Sequence, residues 1–431
     1  MNVLKEVLEH DVYVTLGCTE PTAVALTASA AGREVGDEIS SICITVDPGV
    51  FKNGFAVMVP NTEGQCGNLI AGVLGALIGR PELKMEVLKG ANSDLIRQAK
   101  RIIHEKRAVL SCDHSKEELY IEVGIQAGKD IVRAVTERQH TNVILVEKNG
   151  IEVFRKPQNA DSRNHLQYEV VLKTMQIGDL VDLAENMDAV DHTYVRSGVD
   201  INLAASRSGL ALKKVGHYLN ELVGNHYMLK DVFSSTKIQT ASATDARMAG
   251  MNCAVMSSGG SGNQGIVAIL VPWNVGKHLQ IEEDKITRSI ALSHLINSYI
   301  KCHTGHLSPI CGCAIAAGVG AAAAIVYQLA GSDMRKITLA VNNLISDLGG
   351  MLCDGAKGGC ALKVVSSTES AIRSAYMALN DYGITCIEGF IGSTAEETIR
   401  NLSRISEIGM AKVDDTMIRI MTAKPSKEFF V

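Results

Sequence analysis

Leu119-Tyr-Ile-Glu-Val123, Ile131-Val-Arg-Ala-Val135 and Val143-Ile-Leu-Val146, then Glu147-Lys-Asn-Gly150 and the returning Ile151-Glu-Val-Phe154, decide the fold class of this chain. Apolar and polar residues alternate across 117–155, so successive side chains face core and water in turn. Asn149-Gly150 is the residue pair that a two-residue hairpin turn demands. The stretch predicts an antiparallel sheet with one wet face. Upstream, residues 40–60 read as further strands, with Ile39–Val46 β-branched and Asp47-Pro48-Gly49 as a turn. Asn61–Asn68 is a glycine-rich loop opening an apolar helix through Leu77, and a charged helix covers about 91–106. Residues 1–35 read as helical with a break at Gly17-Cys-Thr-Glu-Pro21, where Thr19 caps the next helix and Pro21 sits in its first turn.

Lys156–His165 is polar and reads as a linker. From about 166 onward the pattern is helical, with candidate helices at 196–224, 240–256, 263–277, 283–300, 310–330, 333–348 and 394–405. Strands early and helices late predict an α+β fold: an N-terminal antiparallel sheet with helices, then a mostly α-helical C-terminal half. The expected division is an α+β domain over 36–160, and a mainly helical catalytic domain built from 1–35 plus 161–431.

The chain has 431 residues, 46% of them hydrophobic and 21% charged, with a net charge of −5. Those are the values of an ordinary globular protein. Mild acidity excludes the basic stripe that nucleic acid requires. Aromatics at 4% give little to stack bases or sugars on. The N-terminus carries acids and lacks the apolar core of a signal peptide. Cys302–Ser332 has no Asp, Glu, Lys or Arg, so a membrane span must be weighed. Its apolar part is mostly Ala and Gly, which insert weakly, and it holds two histidines and a proline; a buried helix is expected. Eleven cysteines without an export signal argue against a disulfide framework and for a reducing cytoplasm. Cys43, Cys66, Cys112, Cys253, Cys302 and Cys386 read as small buried hydrophobes.

The remaining cysteines carry the chemistry. Asp347-Leu-Gly-Gly-Met-Leu-Cys-Asp-Gly-Ala-Lys-Gly-Gly-Cys-Ala361 brackets a glycine loop between Cys353 and Cys360, and Cys311 and Cys313 lie about forty residues upstream. Six residues separate Cys353 from Cys360, wide for a zinc knuckle. An iron–sulfur cube tolerates such spacing, because each thiolate binds a different iron. Three thiolates on four irons leave one iron open as a Lewis acid. The competing reading is that all four are core cysteines. Cys18, before a buried helix, is expected to have a depressed pKa suited to a base or nucleophile; a small buried cysteine is the alternative.

Ser257-Ser-Gly-Gly-Ser-Gly-Asn-Gln-Gly265 fits GxGxxG but lacks a clear strand before it and a second strand after it. It reads better as an amide nest at a helix start, with Ser261, Gly262, Asn263 and Gln264 holding a carboxylate or phosphate. A plain tight turn would look the same. Asp245 and Arg247 lie in a small-residue helix and, if buried, need partners; Arg247 could hold a substrate carboxylate. His303 and His306 flank the cysteines as candidate acid/base groups.

Gly-Cys-Thr-Glu-Pro (17–21), Asp-Pro-Gly-Val-Phe-Lys-Asn-Gly (47–54), Ala-Thr-Asp-Ala-Arg-Met-Ala-Gly (243–250), Gly-Ser-Gly-Asn-Gln-Gly (260–265) and Cys-Asp-Gly-Ala-Lys-Gly-Gly-Cys (353–360) together resemble the L-cysteine desulfidase family, related to the iron–sulfur L-serine dehydratases. The resemblance implies one 4Fe–4S cluster held by three cysteines, oxygen sensitivity and no pyridoxal phosphate. It implies β-elimination of L-cysteine to hydrogen sulfide and 2-aminoacrylate, which hydrolyses to pyruvate and ammonia. Cys353 and Cys360 match the close ligand pair, Cys311 the third ligand with Cys313 competing, and Cys18 the base that removes the α-proton. The close spacing favours the cysteine branch; serine dehydration by the same mechanism, or a redox-sensing module, are the alternatives. The expected partner is a small amino acid, with neither nucleic acid nor membrane, and a homo-oligomer stays open.

Overall fold

A computed structural model describes residues 2–116, 118–156, 167–305 and 307–424. The expected linker, from 157 on, and His306 lie outside the described residues. The sheet is as the alternation predicts: β2 (Ile39–Val46), β3 (Ala108–Cys112), β4 (Tyr120–Ala127), β5 (Asp130–Glu137), β6 (Val143–Lys148) and β7 (Ile151–Arg155) form one six-stranded sheet in the order β3-β2-β4-β5-β6-β7. Every neighbouring pair is antiparallel except β2 and β3, which run parallel with Ile42 opposite Ala108. The parallel pair is possible because α4 (Asn68–Ile78) and α5 (Ser93–His104) carry the chain back between the two strands.

The inner face of the sheet packs on α2 (Thr19–Gly32) and α4. Ala23, Val24, Ala25 and Leu26 share a core with Ile42, Ile44, Ile121, Val123 and Ile125. Helix α2 has almost no polar face because it is buried all round. Its small residues let α4 approach until a Cβ at Gly75 would collide with the Ala25 carbonyl, and one at Gly32 with the Ala76 carbonyl.

A second core gathers the helices: α1 (Val3–His10), α6 (Gln167–Thr174), α7 (Ile177–Glu185), α8 (Ala189–Leu210), α10 (Val232–Met248), α11 (Gly262–His278), α12 (Glu283–Thr304), α13 (Ala316–Ala330), α14 (Met334–Leu348), α15 (Cys360–Leu379) and α16 (Ala395–Arg404). Helix α13 runs through its middle and touches α11, α12, α14 and α15. That placement explains the Ala/Gly run of the uncharged stretch: Gly318 meets Ser367 and Gly320 meets the Ser293 carbonyl. Among the described residues no helix is long and apolar enough to cross a membrane.

Several local readings change. Asp47-Pro48-Gly49 starts a helix, α3 (Pro48–Gly54), instead of turning a hairpin; the Asp47 carboxylate caps it by accepting from Gly49 N and Val50 N at 2.7 and 3.1 Å. The N-cap of α2 is Cys18, not Thr19, whose hydroxyl bonds the Glu20 carboxylate instead. Residues 196–224 are two helices, α8 and α9 (Val215–Gly224). Helix α10 stops at Met248, and Ala254–Met256 is a short strand, β8, antiparallel to β1 (Val14–Leu16). Helix α13 begins at Ala316, so Cys311 and Cys313 lie in the turn before it.

Gly75→Ala tests the contact between α2 and α4. Alanine gains helix propensity, but the Ala25 carbonyl cannot yield without parting the helices, so a net loss of about 1–3 kcal/mol is expected. Gly36→Ala, with nothing near its Cβ, should leave the denaturant midpoint where it is.

Candidate functional site

The chain brings the separated cysteines together through a short piece of backbone pairing. Cys311 N donates to Met351 O at 2.8 Å and Cys353 N to Pro309 O at 2.7 Å, with Ile310 and Leu352 bridged antiparallel. Cys360 opens α15 seven residues later, its N–H bonded to Lys357 O at 2.9 Å. The loop between them leans on α3. Ala356 N donates to Asn53 O at 3.2 Å, and at Gly355 (φ +91°) a Cβ would strike the Lys52 carbonyl. Only glycine meets both demands at that position.

Cys311, Cys313, Cys353 and Cys360 line one cavity at the seam of the two cores. Cys18, Glu20, Asn53, His140, Arg247, Gly260, Ser261, Asn263, Gln264, Lys301 and Lys363 line it too. Cys18, Arg247, Ser261, Asn263, Gln264, Cys311, Cys353 and Cys360 of the sequence-predicted residues therefore meet at one place, whereas Gly262 and His303 do not line it. Gly262 instead makes room: a Cβ there would fall on the Arg247 guanidinium. Among the described residues no three His, Cys, Asp or Glu side chains are close enough together to hold a single metal ion. The sulfurs of Cys311 and Cys313 lie 3.5 Å apart.

The electrostatics correct one expectation. Cys18 is not a ready thiolate: burial and the Glu20 carboxylate push its thiol well above the usual value, against the pull of Arg247. The helix start is outweighed because Cys18 Sγ donates to Glu20 Oε2 at 2.8 Å in a site closed to water. The Cys311 thiol, in contrast, is pulled down by the hydrogen bond from Cys313 and by Lys363. Cys313 is correspondingly pushed up by that bond and by burial. Burial pulls Lys301 down to about 8, although the surrounding thiols oppose it.

Arg247 is buried, at 2% exposure, at the end of α10. Its Nη1 donates to Asn263 Oδ1 at 3.0 Å, whereas Nε and Nη2 have no hydrogen-bond partner among the described residues. Asp245 is not its counter-ion; that carboxylate accepts from Gly216 N at 2.8 Å. The 257–265 motif opens a helix as expected, α11 starting at Gly262 with Ser261 as its N-cap. Strand β8 does precede the loop, but it pairs only with β1, so no βαβ unit is present. Gln264 reaches the cavity past Gly312, where a Cβ would lie 2.8 Å from its Nε2. His303 stacks edge-on against Tyr299 and is not part of the cavity wall.

Five functional neighbours escaped sequence reasoning: Glu20, Asn53, His140, Lys301 and Lys363. Asn53 Nδ2 donates to Glu20 Oε1 at 3.0 Å, and His140 Nε2 lies 3.9 Å from the same oxygen. Glu20 and Asn53 lie inside the 17–21 and 47–54 motifs, whereas His140 had no local signal.

With that geometry in hand, the comparisons fix the class. Residues 83–419 match the serine dehydratase alpha chain family, and the chain belongs to it; it is a lyase-type enzyme related to serine dehydratases. The chain is 56% identical over 428 residues to a UPF0597 protein of Geobacter sulfurreducens, covering 99% of this chain and 100% of that one. It is 53% identical over 425 residues to a UPF0597 protein of Elusimicrobium minutum, covering 98% and 100%. A UPF0597 protein of Desulfotalea psychrophila is 35% identical over 433 residues, covering 98% and 99%.

The turn behind the nest gives a pH test. His294 Nδ1 lies 2.8 Å from Ser258 Oγ, and burial holds the ring down to about 3 from 6.5. The unfolded chain takes up this proton near 6.5 and the folded one only near 3. The His294 contribution to stability should be intact above 6.5 and fade as pH falls through that window. Denaturant midpoints measured from pH 7 to 4 should fall less steeply in His294→Gln.

Proposed function

We propose that this chain is an iron–sulfur-dependent lyase that eliminates hydrogen sulfide from L-cysteine. The observation that carries the reading is the convergence of Cys311, Cys353, Cys360, Cys18 and Arg247, from widely separated chain segments, on one buried cavity.

The residues fit a cluster by their donor chemistry. Four cysteines with soft sulfur donors line one cavity without converging on a single-ion site among the described residues, a donor set suited to a multi-iron group. Lys301, Lys363 and Arg247 line the same cavity and offset the negative charge that thiolates bring. Cys311, Cys353 and Cys360 would hold the group, with the Cys313 sulfur, 3.5 Å from that of Cys311, the competing third ligand. When bound, such a cluster supplies a Lewis-acidic iron that polarises the substrate and stabilises charge on the departing sulfur.

The chain's own residues supply the rest. Arg247 has two unused N–H groups for a carboxylate, and Ser261, Asn263 and Gln264 line the wall beside it. In its thiolate form Cys18 takes the α-proton and so becomes the thiol that donates to Glu20 Oε2, and Arg247 is the cation that favours that thiolate. The Cα–H pair becomes the C=C bond of 2-aminoacrylate, and the Cβ–S pair leaves on sulfur. Burial of Cys18 excludes water from competing for the proton. L-Serine is the second reading, favoured by the family's description as serine dehydratase; the close Cys353–Cys360 spacing favours cysteine.

Anaerobic purification should yield about four irons and four sulfides per chain, together with pyruvate and sulfide formation that air or a chelator abolishes. Retained activity in an iron-free preparation would overturn the reading. Serine substitution at Cys311, Cys353 or Cys360 should strip the iron, whereas Cys313→Ser should keep it. Cys18→Ala should keep the iron and lower kcat about 10²–10⁴-fold. Comparing kcat/KM for L-cysteine and L-serine decides the substrate.

A further inference from the structure

The cavity presents a charge arrangement that the elimination reading leaves unused. Among the described residues its wall holds one carboxylate, Glu20, facing a wall otherwise supplied with cations and thiols. Glu20 is only 6% exposed, so its charge must be matched inside the protein. Its known donors are the Cys18 thiol at 2.8 Å, the Thr19 hydroxyl at 3.1 Å and Asn53 Nδ2 at 3.0 Å. His140 Nε2, at 3.9 Å from Oε1, is beyond hydrogen-bond reach. Burial pushes the Glu20 carboxyl up, but His140, the Cys18 thiol and Arg247 together hold it below its usual value, so it is ionised at neutral pH.

Arg247 is the complement, a buried guanidinium with Nε and Nη2 unpartnered. An amino acid entering such a cavity loses water from both of its charges, and each needs a partner of opposite sign. We infer that the site clamps its ligand as a zwitterion, with Arg247 on the α-carboxylate and the Glu20 carboxylate receiving the α-ammonium. Asn53, bonded from α3, holds Glu20 Oε1 in place. Cys18 and Glu20 share the start of α2, so one helix terminus carries both the proton acceptor and the ammonium anchor. The assignment rests on the amino-acid lyase reading and adds a specificity residue to it: Glu20 would select α-amino acids over hydroxy or plain carboxylic acids.

The test is equilibrium dialysis of the anaerobic, cluster-loaded enzyme against L-alanine and propanoate. Neither has a leaving group, and they differ only in the ammonium. Wild type should prefer L-alanine by about tenfold or more, the scale of a buried charge pair. Glu20→Gln should shrink that preference to within about twofold while propanoate binding stays as in wild type, which also reports an intact fold. Glu20→Asp, which keeps the charge, should retain part of it. Preserved preference in Glu20→Gln, or equal weakening of both ligands, would overturn the assignment while cysteine turnover by wild type still stood. Failure of wild type to bind either ligand, with no turnover, would overturn both readings together.

Discussion

Two backbone hydrogen bonds, Cys311 N to Met351 O and Cys353 N to Pro309 O, set the geometry on which the site depends. They tie the turn before α13 to the turn after α14, so the two cysteines are held by main chain instead of by flexible side chains. Helix α13 and helix α14 are consecutive and packed, which returns the chain to its starting level. Cys360 is then fixed by α15, whose first residue it is. Three thiols thus hang on three rigid anchors, with a glycine loop spanning the gap between the last two. Side-chain rotamers choose the final sulfur positions, but the backbone confines them to one wall.

The other wall belongs to the sheet core, and this is where the charges are balanced. Helix α2 is committed to the sheet by its apolar surface, so its first turn, carrying Cys18 and Glu20, is delivered to the seam. Helix α3 adds Asn53, which touches both worlds: its amide bonds Glu20, and its backbone carbonyl receives the Ala356 N–H of the cysteine loop. The buried Lys52 on the same helix pairs with Asp414 at 2.7 Å, anchoring α3 to α17 (Val413–Thr422). Arg247, Lys301 and Lys363 line the cavity together with Glu20, and charges buried this way need partners of opposite sign. Its polarity is therefore an argument about what it holds.

The alternating strands and the helical second half were legible because each is a local pattern repeated over many residues. Cys353, Cys360, Cys311, Arg247 and the 261–264 turn were legible as residue types in unusual company. The parallel partner β3 was not, because Ala108–Cys112 is short and its pairing is decided by the α4–α5 crossover rather than by its own residues. Asp47-Pro48-Gly49 reads equally as a turn or a capped helix, and the carboxylate accepting from Gly49 and Val50 decides it. The protonation of Cys18 was misjudged for a related reason. The helix start is a local feature readable in sequence, but burial is a property of the whole seam, and burial is the larger effect.

Glycine connects these levels. Gly262 opens α11, Gly312 and Gly355 lie in two different loops, and each is required by one neighbour: the Arg247 guanidinium, the Gln264 amide and the Lys52 carbonyl. None of the three needs to touch a ligand to matter. Gly262 lets the guanidinium lie flat against the start of α11, so its Nη1 meets Asn263 and its other nitrogens remain available. Gly312 lets the Gln264 amide reach the cavity, and Gly355 lets the cysteine loop seat on α3. A side chain at any of them would act by displacing a neighbour that lines the cavity or holds its wall. The glycine-rich motifs of this sequence are thus spaces reserved for particular polar groups, and the cavity's chemistry follows from which groups occupy them.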